Sequence, residues 1–175
     1  NLLFKYSSNK VETETLPFGF VGYKIEVGSE NNIAFKINRV LLDFEGTGDI
    51  KLILWNTAKK EALFTKDITI VSDHQEEVLN WVTDNSSTTY KGDYYIGYNT
   101  NGLTVSPFKR ELNRASLMSK IKFIYLEKCF VKNHNSELLF DLNNVDGLLE
   151  DNGLNLDIAV YDDYTDFVIN NKMLF

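Results

Sequence analysis

The chain has 175 residues, 43% hydrophobic and 25% charged, with a formal net charge of −7. That composition fits one domain with a real core and excludes a disordered chain. It provides no concentration of positive charge for a nucleic-acid backbone, and no apolar run reaches the ~20 residues of a membrane-spanning helix. A single cysteine, Cys129, excludes an internal disulfide and a multi-thiolate zinc site. Two histidines, His74 and His134, leave little material for metal or acid–base chemistry. Residues 1–10 lack the apolar stretch of a signal peptide. The start at Asn1 and the apolar end Met173-Leu174-Phe175 are those expected of a segment of a longer polypeptide.

Aromatic residues at 13%, only two prolines and many β-branched residues favour strands. A first strand is expected over 18–27, after Leu16-Pro17. Ile33, Phe35 and Ile37 then alternate with Ala34, Lys36 and Asn38, the period of a half-buried strand. Through Val40, Leu41 and Leu42 the alternation blurs, as it does in a strand buried on both faces or interrupted by a bulge. Glu45-Gly46-Thr47-Gly48-Asp49 reads as a turn whose glycines can take positive φ. A strand over 50–55, a turn over 56–61 and a returning strand over 62–71 follow, and the three strands predict an antiparallel meander. Residues 78–83 and 93–98 supply two more strands, separated by polar residues 84–89. Residues 120–131 read as one strand, with Ile121, Phe123 and Tyr125 on one face and Lys122, Ile124 and Leu126 on the other. The pattern predicts an all-β fold, an antiparallel β-sandwich of jelly-roll type, with Leu52, Leu54, Trp81, Ile96, Phe123 and Tyr125 in its core.

Beyond Val131 the character changes. Residues 133–136 read as a loop, 138–142 as a short edge strand and 143–153 as an acidic, turn-rich stretch. Residues 154–161 alternate again, with Leu154, Leu156, Ile158 and Val160 apolar. The period then becomes helical through Tyr164, Phe167, Val168, Asn171 and Leu174, with Asp162, Asp163 and Asp166 where carboxylates favour a helix N-terminus. Two units are therefore expected: a sandwich over 1–142, and a strand–helix extension over 143–175 that serves for attachment. The helix face of Tyr164, Phe167, Val168 and Leu174 is the expected protein interface, because a helix this short is held by packing.

Three constellations bear on chemistry. Asp141-Leu142-Asn143-Asn144-Val145-Asp146-Gly147, with Glu150 and Asp151, has the residue types of a calcium loop but the wrong register, so a solvated loop is expected and no metal. Trp55, Trp81, Tyr90, Tyr94, Tyr95, Tyr98 and Phe108 could stack on sugar faces, but most stand at core positions of strands. Tyr90 and Phe108, in loops, are the expected exposed rings of a carbohydrate-binding alternative. His74 and His134 stand in polar turns, no Gly-x-Ser-x-Gly elbow or phosphate-cradling glycine loop occurs, and Cys129 reads as a buried small hydrophobe. Neither a catalytic residue nor a cofactor is expected.

Residues 48–56, Lys59-Lys60-Glu61 and Gly92-Asp93-Tyr94-Tyr95-Ile96-Gly97-Tyr98 resemble the sandwich portion of uncharacterised structural proteins of phages and integrated elements of Bacteroidota. Gly153-Leu154-Asn155-Leu156-Asp157 and Tyr161-Asp162-Asp163-Tyr164-Thr165-Asp166-Phe167 resemble their C-terminal portion. These motifs carry structure, with no catalytic residues to transfer. The resemblance implies a non-enzymatic virion or mobile-element component that docks on other protein subunits.

Overall fold

The computed structural model describes residues 12–27, 34–58, 61–84, 93–109, 118–121, 124–134, 145–146 and 151–161. These form eleven strands and no helix: β1 (Gly19–Val27), β2 (Ala34–Glu45), β3 (Gly48–Asn56), β4 (Phe64–Ile70), β5 (His74–Asp84), β6 (Tyr94–Asn99), β7 (Ser106–Pro107), β8 (Met118–Ile121), β9 (Ile124–Lys132), β10 (Val145–Asp146) and β11 (Leu154–Tyr161). Every pairing between them is antiparallel. The larger sheet runs β10-β9-β1-β6-β3-β4, with β8 sharing β9. The smaller runs β11-β2-β5, with β7 against the end of β2.

Alternation in the sequence decides which side chains meet between the sheets. From the larger sheet come Tyr23, Ile25, Leu52, Leu54, Ile96 and Leu126, and from the smaller Phe35, Ile37, Val40, Leu42, Leu156 and Ile158, all in one buried cluster. Phe35 meets Tyr94 edge-on at 4.9 Å and Phe44 meets Tyr98 at 5.6 Å, both across the gap between sheets, a favourable geometry for ring quadrupoles. The arrangement is sandwich-like. The expected core residues Leu52, Leu54, Ile96 and Trp81 are buried within it. Tyr125 is not: it is 42% exposed, because Ile124 and Leu126 occupy the inward parity of β9. Both parities of that segment are apolar, so alternation alone could not choose the face. Phe123 lies outside the described residues.

Three further expectations change. Residues 120–131 are two strands, since Ile121 on β8 pairs with Ile124 on β9 as the chain reverses between them. The meander survives only as the β3–β4 hairpin, with Ile50 opposite Ile68 and Leu54 opposite Phe64. β2 belongs to the other sheet, so the glycine turn at 46–48 carries the chain across the sandwich. The blur at Val40–Leu42 has both of its expected causes. The register shifts between Ile37 and Arg39, where Asn80 on β5 takes φ 52°, and Leu41 on the opposite face is also buried.

β10 and β11 both lie beyond the expected boundary at 142, and both are hydrogen-bonded into the sheets. β11 follows β2 from Leu42 to Ala34, so its apolar alternation completes the inner face of the smaller sheet. The expected edge strand over 138–142 and the helix over 163–175 lie outside the described residues.

The segment just before β11 is a buried plug. Asp151, Asn152 and Gly153 are all buried, whereas the sequence suggested a solvated loop. The Asn152 side chain donates to Gly22 O at 3.1 Å and accepts from Leu154 N at 3.0 Å. Tyr98 donates its hydroxyl to Asn152 O at 2.8 Å, and Tyr23 donates to Leu154 O at 2.9 Å. Gly153 is required here: its φ is 70°, and a Cβ would fall 2.6 Å from the Phe44 ring.

Candidate functional site

The larger sheet carries a second apolar cluster on its outer face. Phe20, Ile53, Trp55, Tyr95, Cys129 and Val131 are buried there, opposite the main core. Gly22 and Gly97, paired directly across β1 and β6, leave room for the Phe20 ring, whose Cζ would lie 2.7 Å from a Cβ on Gly97. Trp55 packs edge-on against Phe20 at 4.7 Å and His134 at 5.3 Å. His134 Nδ1 lies 3.0 Å from Asn99 Oδ1, so the ring is a built part of this cluster and not a polar turn residue. Burial pushes the Cys129 thiol up to about 12, with Glu127 adding to the effect, which suppresses the nucleophilic thiolate. Cys129 is a packing residue, as its sequence context suggests.

Beside this cluster runs a polar row. Lys24 Nζ lies 2.8 Å from Glu26 and 3.9 Å from Asp93. The hydrogen bond to Glu26 chiefly raises the Lys24 pKa, and burial raises those of Asp93 and Tyr95, the latter to about 12. On the smaller sheet, Arg39 clasps Glu76 at 2.9 Å and Asp157 at 3.0 Å, tying β5, β2 and β11 together. His74 opens β5, where its Nδ1 sits 2.6 Å from the Asp43 carboxylate. These groups hold strands in register. Among the described residues no group of three or more His, Cys, Asp and Glu converges as a metal site.

The expected carbohydrate ring Phe108 is only 7% exposed. It follows β7, where its N–H donates to Asp43 O and its backbone bridges Thr13, so its faces are packed and unavailable to a sugar. Sequence reasoning placed it in a loop and missed that the 12–14 strap lies against it. Tyr90, Tyr164, Phe167, Val168 and Leu174 lie outside the described residues.

That strap creates a feature with the form of a binding site. Glu14 N donates to Pro107 O at 2.8 Å and Lys109 N to Glu12 O at 2.9 Å, adding the strap to the free edge of β7. Thr100 anchors its far end, donating its hydroxyl to Pro17 O at 2.7 Å while accepting from Gly19 N at 3.0 Å. Between the strap and the 100–106 turn lies a cleft of about 270 Å³. Nothing in residues 12–16 or 100–106 read as a motif, since the site depends on two segments more than eighty residues apart in the chain.

No protein-family model, curated protein or solved structure matches the chain significantly.

Proposed function

We propose that the protein is a non-enzymatic structural and interaction module, a jelly-roll-type sandwich that serves as a virion component and docks on neighbouring protein subunits. The observation that supports this reading is the larger sheet, which buries apolar side chains on both faces: Leu52, Leu54 and Ile96 on one, Phe20, Ile53 and Trp55 on the other. A sheet packed on both sides resists bending, because dense interiors tolerate little displacement. Rigidity of that kind suits a part that transmits contacts between subunits. Of the segments that carry the resemblance to phage structural proteins, Gly48–Asn56 is β3 and Tyr94–Tyr98 lies in β6, its neighbour in this sheet.

In this reading the tail attaches the module to its neighbours through Tyr164, Phe167, Val168 and Leu174 on a helix over 163–175. Nucleic acid is no partner, and the acidic net charge of −7 opposes phosphate contact. The carbohydrate-binding alternative built on Tyr90 and Phe108 is weakened by the burial of the Phe108 ring.

The test compares the parent with Phe167→Asp by light scattering and circular dichroism. A charge at the centre of an apolar interface is expected to cost about 2 kcal/mol or more, roughly a thirtyfold weaker association, with the β-sheet spectrum unchanged. A parent that stays monomeric at high concentration and in the presence of its neighbouring gene products overturns the reading.

A further inference from the structure

The cleft between the 12–16 strap and the 100–106 turn has no part in the assembly reading, and its lining is chemically specific. Thr13, Thr15 and Ser106 bring hydroxyls and Glu14 a carboxylate, while Leu16, Leu103 and Val105 supply apolar surface. Thr100, also at the cleft, has its hydroxyl committed to Pro17 and Gly19. By contrast, the side chains of Thr13, Glu14, Thr15 and Ser106 make no hydrogen bond or ion pair with the protein among the described residues. Their backbones are nonetheless held, Glu14 by its bond to Pro107 and Thr13 by its bridge to Phe108. Side chains that are open to solvent and not committed to the protein, on a backbone held in place, can exchange water for a ligand.

The kind of ligand follows from the donor and acceptor inventory. A phosphate or carboxylate ligand would face Glu14 with no cation in the lining to balance it. A divalent cation would seek several carboxylates or carbonyls, and the lining has one carboxylate. Hydroxyl side chains both donate and accept, which matches a ligand that does the same at each of its own hydroxyls. A carboxylate accepts strongly from such a group, and apolar side chains suit a ring with a C–H face. We propose that this cleft binds a neutral sugar ring, with Glu14 accepting from its hydroxyls and Leu103 and Val105 packing on its apolar face. At about 270 Å³ the cleft falls just short of the ~300 Å³ at which drug-sized pockets begin, so it takes a single residue of a glycan and not an extended chain. The site uses hydroxyls where an aromatic platform would use stacked rings.

The experiment titrates the whole protein, labelled with ¹⁵N, with glucose, galactose, mannose, fucose and N-acetylglucosamine, and in parallel with calcium chloride and sodium phosphate. At least one sugar is expected to shift the amides of residues 13–16 and 100–106 with a millimolar dissociation constant. Glu14→Gln, which replaces a charge-assisted bond with a neutral one, is expected to weaken that sugar about tenfold. Thr15→Val, at an exposed position, is expected to weaken it severalfold while the circular dichroism of both variants matches the parent. Silence from every sugar of the panel, shifts that map elsewhere, saturation by calcium or phosphate in place of a sugar, or an unchanged affinity in folded Glu14→Gln overturns the proposal. Assembly size, measured on the same samples by light scattering, reports separately on the structural reading.

Discussion

Cys129 and Tyr95 show how burial, more than neighbouring charge, sets chemical behaviour. Both sit on the outer face of the larger sheet, and loss of hydration raises the thiol from 9.0 to about 12 and the phenol from 10.0 to about 12. Each group is neutral while protonated. At least one unit below pH 9.0 both are protonated in the folded and the unfolded chain, and neither contributes a pH dependence. Between 9.0 and about 12 the unfolded chain releases these protons first, so it binds fewer protons and stability falls as pH rises. The urea midpoint should therefore hold steady up to about pH 8.5 and drop progressively above it. Cys129→Ala should flatten the first part of that drop, and Tyr95→Phe the later part. A midpoint in the parent that is constant up to about pH 11 would contradict this account.

At the level of elements, the plug at 151–153 joins the two sheets through buried polar contacts. A buried backbone carbonyl needs a partner, and Asn152 O and Leu154 O find theirs in hydroxyls from Tyr98 on β6 and Tyr23 on β1. Gly22 O is reached by the Asn152 side chain. Tyr98→Phe removes one donor and leaves a buried acceptor, with an expected loss of about 1–3 kcal/mol. Asn152→Ala breaks two bonds at once and should cost about 2–4 kcal/mol. Hydrogen exchange should show the loss as faster opening of β11 and the adjacent part of β2, and unchanged protection there would argue that the plug is merely filling space. A second device closes the side of the molecule where β4 and β5, the outer strands of their sheets, approach each other. Phe64 stacks on Trp81 at 5.5 Å, and Lys66 reaches across to Val78 O at 2.9 Å and Glu77 at 3.2 Å. An inward-reaching lysine on an outer strand also discourages pairing with another chain.

For the whole molecule, the consequence of this topology is that most pairings join strands that are not neighbours in sequence. β1 pairs with β6 and β9, and β2 with β5 and β11. The Arg39–Asp157 and Tyr23–Leu154 contacts close loops of 118 and 131 residues. Non-local pairing must meet its loop-closure entropy before the contacts form, so refolding is expected on the scale of milliseconds to seconds. Truncation after residue 150 removes β11 and the plug, leaving one edge of β2 open. The truncated chain should lose its cooperative unfolding transition, as monitored by near-ultraviolet circular dichroism during urea titration. Retention of a sharp transition would show that residues 151–161 are an accessory and not part of the core.

The sequence by itself determined the strand character of the chain and most inward positions. Period-two alternation is a local consequence of strand geometry, and it survives intact at Phe35, Ile37, Leu52, Leu54, Leu156 and Ile158. It also registered an irregularity through Val40–Leu42, just after the observed register shift at Ile37/Arg39, and the structural character of Cys129. Only the tertiary structure decided the rest. Alternation states that a strand has an apolar face but not which sheet receives it, so the glycine turn between β2 and β3 looked like a hairpin and is a crossing. Where both parities are apolar, as around Tyr125, the choice of face depends on β1 and on what packs beyond it. Phe108 and Asn152 meet segments remote in sequence, and the cleft beside Glu14 exists only because the 12–14 strap reaches β7. Local pattern encodes the period of an element, whereas burial and sites arise from which elements meet, and in this protein the meetings span most of the chain.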